Sequence, residues 1–232
     1  MKIALAQIRS RIGNIDDNIK KHLDFAKKAS KQKVDLIVFP ELSLTNYEPS
    51  MAKSLAFHRD DKRLNIFKEF STKNDISIAL GLPIKLDTKL HIAMAIFEPN
   101  MENRFYYKQF LHSDEIHFFQ PKSNSSVIEL QQKRIKLAIC YEFFVQEQRE
   151  DIASENIDFF LASVAKPQIG MKKAKNELKM ISEKNKIPTL LVNAIGKADG
   201  MICCGKSFAF NENAEKIEFL NEEEYLLIIN LE

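Results

Sequence analysis

An α/β fold follows from three features of the 232-residue sequence. Apolar runs of strand length alternate with amphipathic stretches of helix length. The hydrophobic fraction, 45%, is enough for a packed core. Runs such as residues 34–39 and 159–165 are far too short to span a bilayer, so the apolar residues are read as core and no membrane partner is expected.

Residues 3–7 read as a buried strand. It meets Arg9 and Arg11 at once, so the start lacks the long apolar region of a signal peptide. Residues 14–31 place Ile15, Ile19, Leu23 and Ala26 at helical spacing, with Asp16 and Asp17 where the helix dipole favours acids. The intervening lysines form a solvated face. Residues 34–39 are a continuous apolar strand ended by Pro40. Residues 63–73 form a second amphipathic helix, and residues 76–80 a strand closed by Gly81 and Pro83. Two β-prone runs follow at 93–97 and 104–107, with a turn at 98–100.

The second half repeats this rhythm loosely. Strands are predicted at 127–130, 135–140, 159–164, 189–193, 207–210 and 225–229. Helices are predicted at 146–154 and 172–185. No Pro/Gly/Ser linker or composition break divides the chain, which reads as one domain.

The 34 Lys and Arg nearly balance the 32 Asp and Glu, a formal charge of 34 − 32 = +2, so no nucleic-acid partner is expected. Six glycines and no GxGxxG or GxxxxGK[ST] string argue against the common phosphate loops. Cys140, Cys203 and Cys204 make neither a disulfide framework nor a CxxC site, and His112 and His117 are poorly spaced for a shared metal. A reduced, cytoplasmic protein without metal or cofactor is the expectation.

Three polar residues each close an apolar run: Glu41 after residues 36–40, Lys108 after 105–107, and Cys140 after 137–139. Strand ends in α/β sheets converge on one crevice. A thiol can attack an acyl carbon, a carboxylate can take its proton, and an ammonium can lower the thiol pKa and stabilise an oxyanion. Taken singly, each has a plainer reading: a buried small hydrophobe, a turn residue and a surface lysine. Spacing alone does not combine them.

A resemblance does. Residues 39–47, FPELSLTNY, resemble the FPEL-x-LTGY element of the nitrilase superfamily, the carbon–nitrogen hydrolases. Residues 107–111, YKQFL, continuing to Glu115 and to residues 119–121, resemble its Y-x-K-x-x-L element and following loop. Residues 139–142, ICYE, are similar to its ICYD/E element. Gln7, Gly13, Asn18, Asn193, Gly196, Gly205 and Ser207 also fall in family order, so the match covers nearly the whole chain.

The resemblance implies a four-layer α-β-β-α sandwich over 1–232 and a homodimer formed through it. The chain ends at Glu232, before the C-terminal extension that many relatives reach across the dimer. Glu41 is implied as general base, Lys108 as oxyanion stabiliser and proton donor, and Cys140 as nucleophile. Tyr47 and Glu115 are implied at the substrate, and the Tyr141 N–H as second oxyanion donor.

This sequence also departs from the pattern. The arginine that some relatives carry shortly after the nucleophile is absent, and Phe143 stands near its place. Lys166, before Pro167, is a candidate pocket residue that can pair with an acidic substrate group, with Glu115 or with Glu142, or simply snorkel outward. Asn46 replaces the common glycine before Tyr47, and Asn tolerates positive φ. The activity implied is hydrolysis of a small linear amide or N-carbamoyl compound through a cysteine acyl-enzyme. Nitrile hydrolysis or acyl transfer on the same residues, and a silent scaffold, are the alternatives.

Overall fold

The computed structural model describes every residue except Asp151, Ala153, Ser154 and Glu232, and the side chain of Glu150. The first half contains β1 (Lys2–Gln7), α1 (Ile15–Lys31), β2 (Leu36–Val38), α2 (Ala52–Leu55), α3 (Asn65–Asn74), β3 (Ser77–Leu86), β4 (Lys89–Phe97) and β5 (Arg104–Tyr107). The second contains β6 (Val127–Leu130), β7 (Lys133–Ile139), α4 (Gln146–Glu150), β8 (Phe159–Val164), α5 (Gln168–Asn185), β9 (Thr189–Asn193), β10 (Ile195–Ala198), β11 (Met201–Cys204), β12 (Phe208–Phe210), β13 (Lys216–Phe219) and β14 (Tyr225–Asn230).

These strands build two six-stranded sheets, ordered β14-β1-β2-β3-β4-β5 and β13-β12-β9-β8-β7-β6. In the first, β1, β2 and β3 run parallel, β4 and β5 follow antiparallel, and β14 pairs antiparallel on the far side of β1. In the second, β7, β8 and β9 run parallel, β12 and β13 follow antiparallel, and β6 flanks β7. The loose repeat of rhythm is thus a repeat of topology.

Side-chain alternation along these strands creates the layers. Ile3, Leu5, Leu36 and Val38 of the first sheet meet Leu137, Ile139, Leu161 and Val192 of the second in one core. The other face of the first sheet packs on Phe25, Ala26 and Ala29 of α1 and Phe67 of α3. The other face of the second packs on Met171, Ala174, Leu178 and Ile181 of α5. The result is the α-β-β-α sandwich. The expected acidic first turn of α1 is present, and Asn14 caps it by accepting from the Asp17 N–H at 3.1 Å. None of the described helices is long and apolar enough to cross a membrane.

Several elements differ from the predicted ones. The strand at 76–80 does not end at Gly81 and Pro83 but runs on to Leu86. The Pro83 carbonyl accepts from the Phe57 N–H at 2.9 Å, so its nitrogen faces the side where β2 has already ended and β3–β4 pairing loses nothing. The β10–β11 hairpin was not predicted as such, although Asp199 and Gly200, both at positive φ, are a two-residue hairpin turn signal. β13 was not predicted either: its Lys-Ile-Glu-Phe alternation is a strand signal, but the segment is only four residues long and mostly exposed. α5 begins at Gln168, directly after Pro167 and earlier than the apolar spacing indicates. Within the predicted 146–154 helix, α4 covers Gln146–Glu150, and Asp151, Ala153 and Ser154 lie outside the described residues.

Gly81 links this architecture to the strand ends. A Cβ there would lie 2.3 Å from the Leu42 nitrogen and 2.5 Å from the Pro40 oxygen. The chain leaving β2 therefore crosses β3 at backbone contact. Gly81→Ala must push residues 40–42 away, at a cost of about 1–3 kcal/mol. A lower urea midpoint by equilibrium unfolding checks this; an unchanged midpoint would mean the crossing has slack.

Candidate active site at the strand ends

Glu41 begins the turn after Phe39 and Pro40, and its carboxylate is buried. The turn is fixed from beneath by α1. The Asn18 Nδ2 donates to the Leu44 carbonyl at 3.0 Å, and the His22 Nε2 lies 2.9 Å from the Ser43 Oγ. Burial lowers the His22 pKa to about 4, so the ring is neutral. Asn46 adopts φ +70°, as its side chain permits, and donates to the Lys197 carbonyl at 2.9 Å.

Lys108 extends from the end of β5, where its N–H bonds to the Ile92 carbonyl at 2.9 Å. Its ammonium is fully buried, 2.7 Å from the Glu41 Oε1 and 2.6 Å from the Glu115 Oε1. Burial alone would lower its pKa, but the two carboxylates outweigh that and hold its proton above the usual lysine range. Glu115 also accepts from the Tyr47 hydroxyl at 2.9 Å and, through Oε2, from the His112 N–H at 2.8 Å. The Tyr47 hydroxyl thus steadies Glu115 directly. Glu41 differs: burial raises its pKa against the pull of Lys108, and its Oε2 is buried with no hydrogen-bond partner among the described residues.

Cys140 follows β7 and opens a short 3₁₀ helix, Cys140–Phe144. Its φ is +50°, a left-handed conformation that costs a non-glycine residue on the order of 1 kcal/mol or more. The bend turns the chain sharply at the sheet edge. The Tyr141 N–H lies in the first turn of this helix, where backbone donors lack helical acceptors, and its side chain is exposed. Burial and the Glu41 charge push the Cys140 thiol up to about 11, against the pull of Lys166 and Lys108. The expected lowering by the Lys108 ammonium is present, but it does not overcome burial and the Glu41 charge. Burial pushes Cys203 higher, to about 12.

Glu142 has a role that the sequence did not reveal. Fully buried, it accepts through Oε2 from the Ile139 N–H and the Tyr106 hydroxyl, both at 2.7 Å. Through Oε1 it accepts from the Gln109 N–H at 2.6 Å and the Phe110 N–H at 3.4 Å. One side chain thus ties the residue before Cys140 to the residue after Lys108. Burial raises its pKa to about 7, while these donors favour the anion. In the sequence it is the last letter of the ICYE element and an acid inside the apolar run 139–145. Ser163 supplies a second tie across the sheets, donating to the Phe39 carbonyl at 2.9 Å.

The structure thus gathers Glu41, Lys108, Glu115 and Tyr47 by direct bonds and sets Cys140 within their field. Lys166 pairs with neither Glu115 nor Glu142, whose oxygens are engaged as described. Half-buried, its ammonium lies over the Phe143 and Phe144 rings. Among the described residues, no group of three or more His, Cys, Asp or Glu is placed to hold a metal ion.

Two packed sheets between helices, with a buried Glu–Lys pair whose charges act on a cysteine at a bent strand end, define a nitrilase-like protein. The chain belongs to the Carbon-nitrogen hydrolase family, whose profile matches residues 2–232. A CN-hydrolase superfamily protein from Xanthomonas campestris, with an arsenic adduct in its active site, shares the fold at TM-score 0.92. The two are 16% identical, and the match covers 100% of this chain and 90% of that one. An amidase from Nesterenkonia sp. AN1, solved as a mutant with acrylamide added at its active-site cysteine, superposes at TM-score 0.91 with 21% identity, covering 100% and 93%.

Among curated relatives, the glutamine-dependent NAD(+) synthetase of Acinetobacter baylyi is 27% identical over 223 residues, covering 92% of this chain but 41% of the synthetase. The chain spans about two-fifths of the length of such relatives. A nitrilase from Pyrococcus abyssi is 25% identical, with 97% and 86% covered.

Glu142→Gln would turn an NH₂ toward a backbone N–H that now donates to the carboxylate. Loss of about 1–3 kcal/mol of stability is expected. Urea unfolding of both proteins measures it, and equal stability would mean that the four donors do not depend on the carboxylate.

Proposed function

We propose that this protein is a cofactor-independent thiol hydrolase that cleaves the C–N bond of a small linear amide or N-carbamoyl compound. The observation that carries the reading is Glu41: one oxygen is held by Lys108 at 2.7 Å, the other is buried without a donor among the described residues, and its charge acts on the Cys140 thiol. That is what a general base needs.

In this mechanism the Cys140 sulfur attacks the acyl carbon as its proton passes to Glu41. The resulting oxyanion is held by the Lys108 ammonium and the Tyr141 N–H. The C–N bond breaks, and the amine or ammonia leaves with the proton from Glu41. Water then attacks the thioester, giving a proton to Glu41. Collapse of the second tetrahedral adduct releases the carboxylic acid and returns that proton to sulfur. Because two carboxylates retain the Lys108 proton, proton delivery falls to Glu41, and Lys108 acts as a fixed charge. Similarity to synthetases that depend on glutamine favours the glutamine amide as one specific substrate within this class.

Ammonia release from linear amides, N-carbamoyl amines, N-carbamoyl amino acids, nitriles and glutamine tests the reading. Wild type should act on at least one amide or carbamoyl compound, and Cys140→Ala on none. Turnover retained by Cys140→Ala would exclude the cysteine mechanism, and turnover of nitriles alone would move the activity to that class.

Glu41→Gln should lower kcat by about 10²–10⁴. In wild type, kcat/KM should fall as pH drops through the Glu41 midpoint, which burial places above the usual carboxyl value, because a protonated Glu41 cannot take the thiol proton. A pH profile flat through the acid range would assign the base elsewhere.

A further inference from the structure

The two large sheets end in the edge strands β5 and β6 on one side and β13 and β14 on the other. The β5 and β6 edges are covered. The Asn124 side chain accepts from the Tyr107 N–H at 3.2 Å and donates to the Phe105 carbonyl at 2.9 Å, and Arg104 donates to the Glu129 carbonyl at 3.0 Å. Such covering keeps an edge from pairing with another chain.

The opposite side lacks it. There β13 and β14 border one cleft, formed by residues 218–221 and 225–228. Met1 and Leu231 exchange backbone hydrogen bonds at 2.7 and 2.8 Å, so by alternation Leu227 and Ile229 also turn their N–H and C=O groups toward β1. Those of Leu226, Ile228 and Asn230 turn outward, and among the described residues nothing bonds to them. The strand reads Tyr-Leu-Leu-Ile-Ile-Asn, six residues with neither charge nor proline. An edge of that composition is a template for pairing.

β13 selects the occupant. Its Lys216, Ile217 and Glu218 are all exposed, and among the described residues neither Lys216 nor Glu218 takes part in an ion pair. A two-fold axis crossing the edge at Ile217 sets Lys216 opposite Glu218 of the partner subunit, and Glu218 opposite the partner subunit's Lys216. The strand is therefore complementary to itself. Ile217 shares a cleft with Asn230 and Leu231, so the same axis brings the open groups of Ile228 and Asn230 to those of Asn230 of the partner subunit and the partner's Ile228. Such a pairing makes about four backbone hydrogen bonds on β14. Opposite charges facing each other across strands favour it further.

We propose that the β13–β14 edge is an interface for a second copy of this chain, which joins antiparallel and continues the sheets across the two-fold axis. The contact runs along the sheet edges and does not stack one sandwich on another. It is independent of the hydrolase reading.

Sedimentation equilibrium of the full chain tests the interface. Wild type should be dimeric at about 10 µM, as a small interface allows. Lys216→Glu and Glu218→Lys each set like charges against each other twice, and each should raise the dimer Kd about ten-fold or more. The double substitution restores opposition with the signs exchanged and should return Kd to within about three-fold of wild type. Both side chains are exposed, so the circular dichroism of all four proteins should agree. Hydrogen exchange locates the strand. The Ile228 and Asn230 amides should be protected above Kd and exchange faster on dilution below it, while the Ile229 amide, which faces β1, should not change. Wild type that stays monomeric at about 100 µM overturns the proposal and leaves the edge to an extended segment of another protein. A dimer that neither single substitution weakens, that the double substitution fails to restore, or whose β14 amides ignore dilution also overturns it, because its contact lies elsewhere.

Discussion

The structure is organised around one buried ammonium. Lys108 sits without solvent contact between the carboxylates of Glu41 and Glu115, at 2.7 and 2.6 Å. Burying these charges is unfavourable unless geometry and hydrogen bonding are both good, and removing one partner strands the others. The surroundings meet that demand. Tyr47 and the His112 N–H complete Glu115, while the Asn18 and His22 contacts to residues 43–44 hold the Glu41 turn in place. The exception is the Glu41 Oε2, left without a donor among the described residues. An unsatisfied buried oxygen is costly to stability, and the proposed role of Glu41 as base gives a reason to keep it.

The halves of the chain contribute different parts of this arrangement. The first sheet supplies the acid after β2 and the ammonium after β5, and the second supplies the thiol after β7. Their relative positions depend on ties that cross between elements. Glu142 joins the Cys140 bend to the Lys108 strand end, and Ser163 joins β8 to the Phe39 carbonyl. The left-handed Cys140 persists because hydrogen bonds on its flank hold it. Protonation follows from the same enclosure. The two acids keep Lys108 charged against its burial, while burial and the Glu41 charge raise the thiol, so in the proposed reaction attack would be coupled to proton transfer.

Much of the site could be read along the chain, because each contributing element is short and local. Residues 39–47, 107–111 and 139–142 each join an apolar strand to the polar residue that ends it. The α1 first turn and the positive φ of Asn46 were legible for the same reason. The β3 extension was not, since Pro83 breaks a strand only when its missing N–H faces a neighbouring strand. Glu142 appeared as one letter of a motif; its four donors come from segments 30 or more residues away in the chain as well as from its own bend.

By itself, the sequence determined the α/β class and the family, and singled out Glu41, Lys108 and Cys140 as the candidate acid, lysine and cysteine. Periodicity, strand-end chemistry and motif order are local properties that survive without coordinates. Tertiary structure alone decided which oxygen of Glu41 is free, that Tyr47 serves Glu115, and that burial and the Glu41 charge raise the thiol. It also decided that Lys166 lies over two aromatic rings and pairs with no carboxylate among the described residues. Those outcomes depend on which donors reach a buried atom and how far water is excluded, and both are set by segments that meet only when the two sheets close on each other.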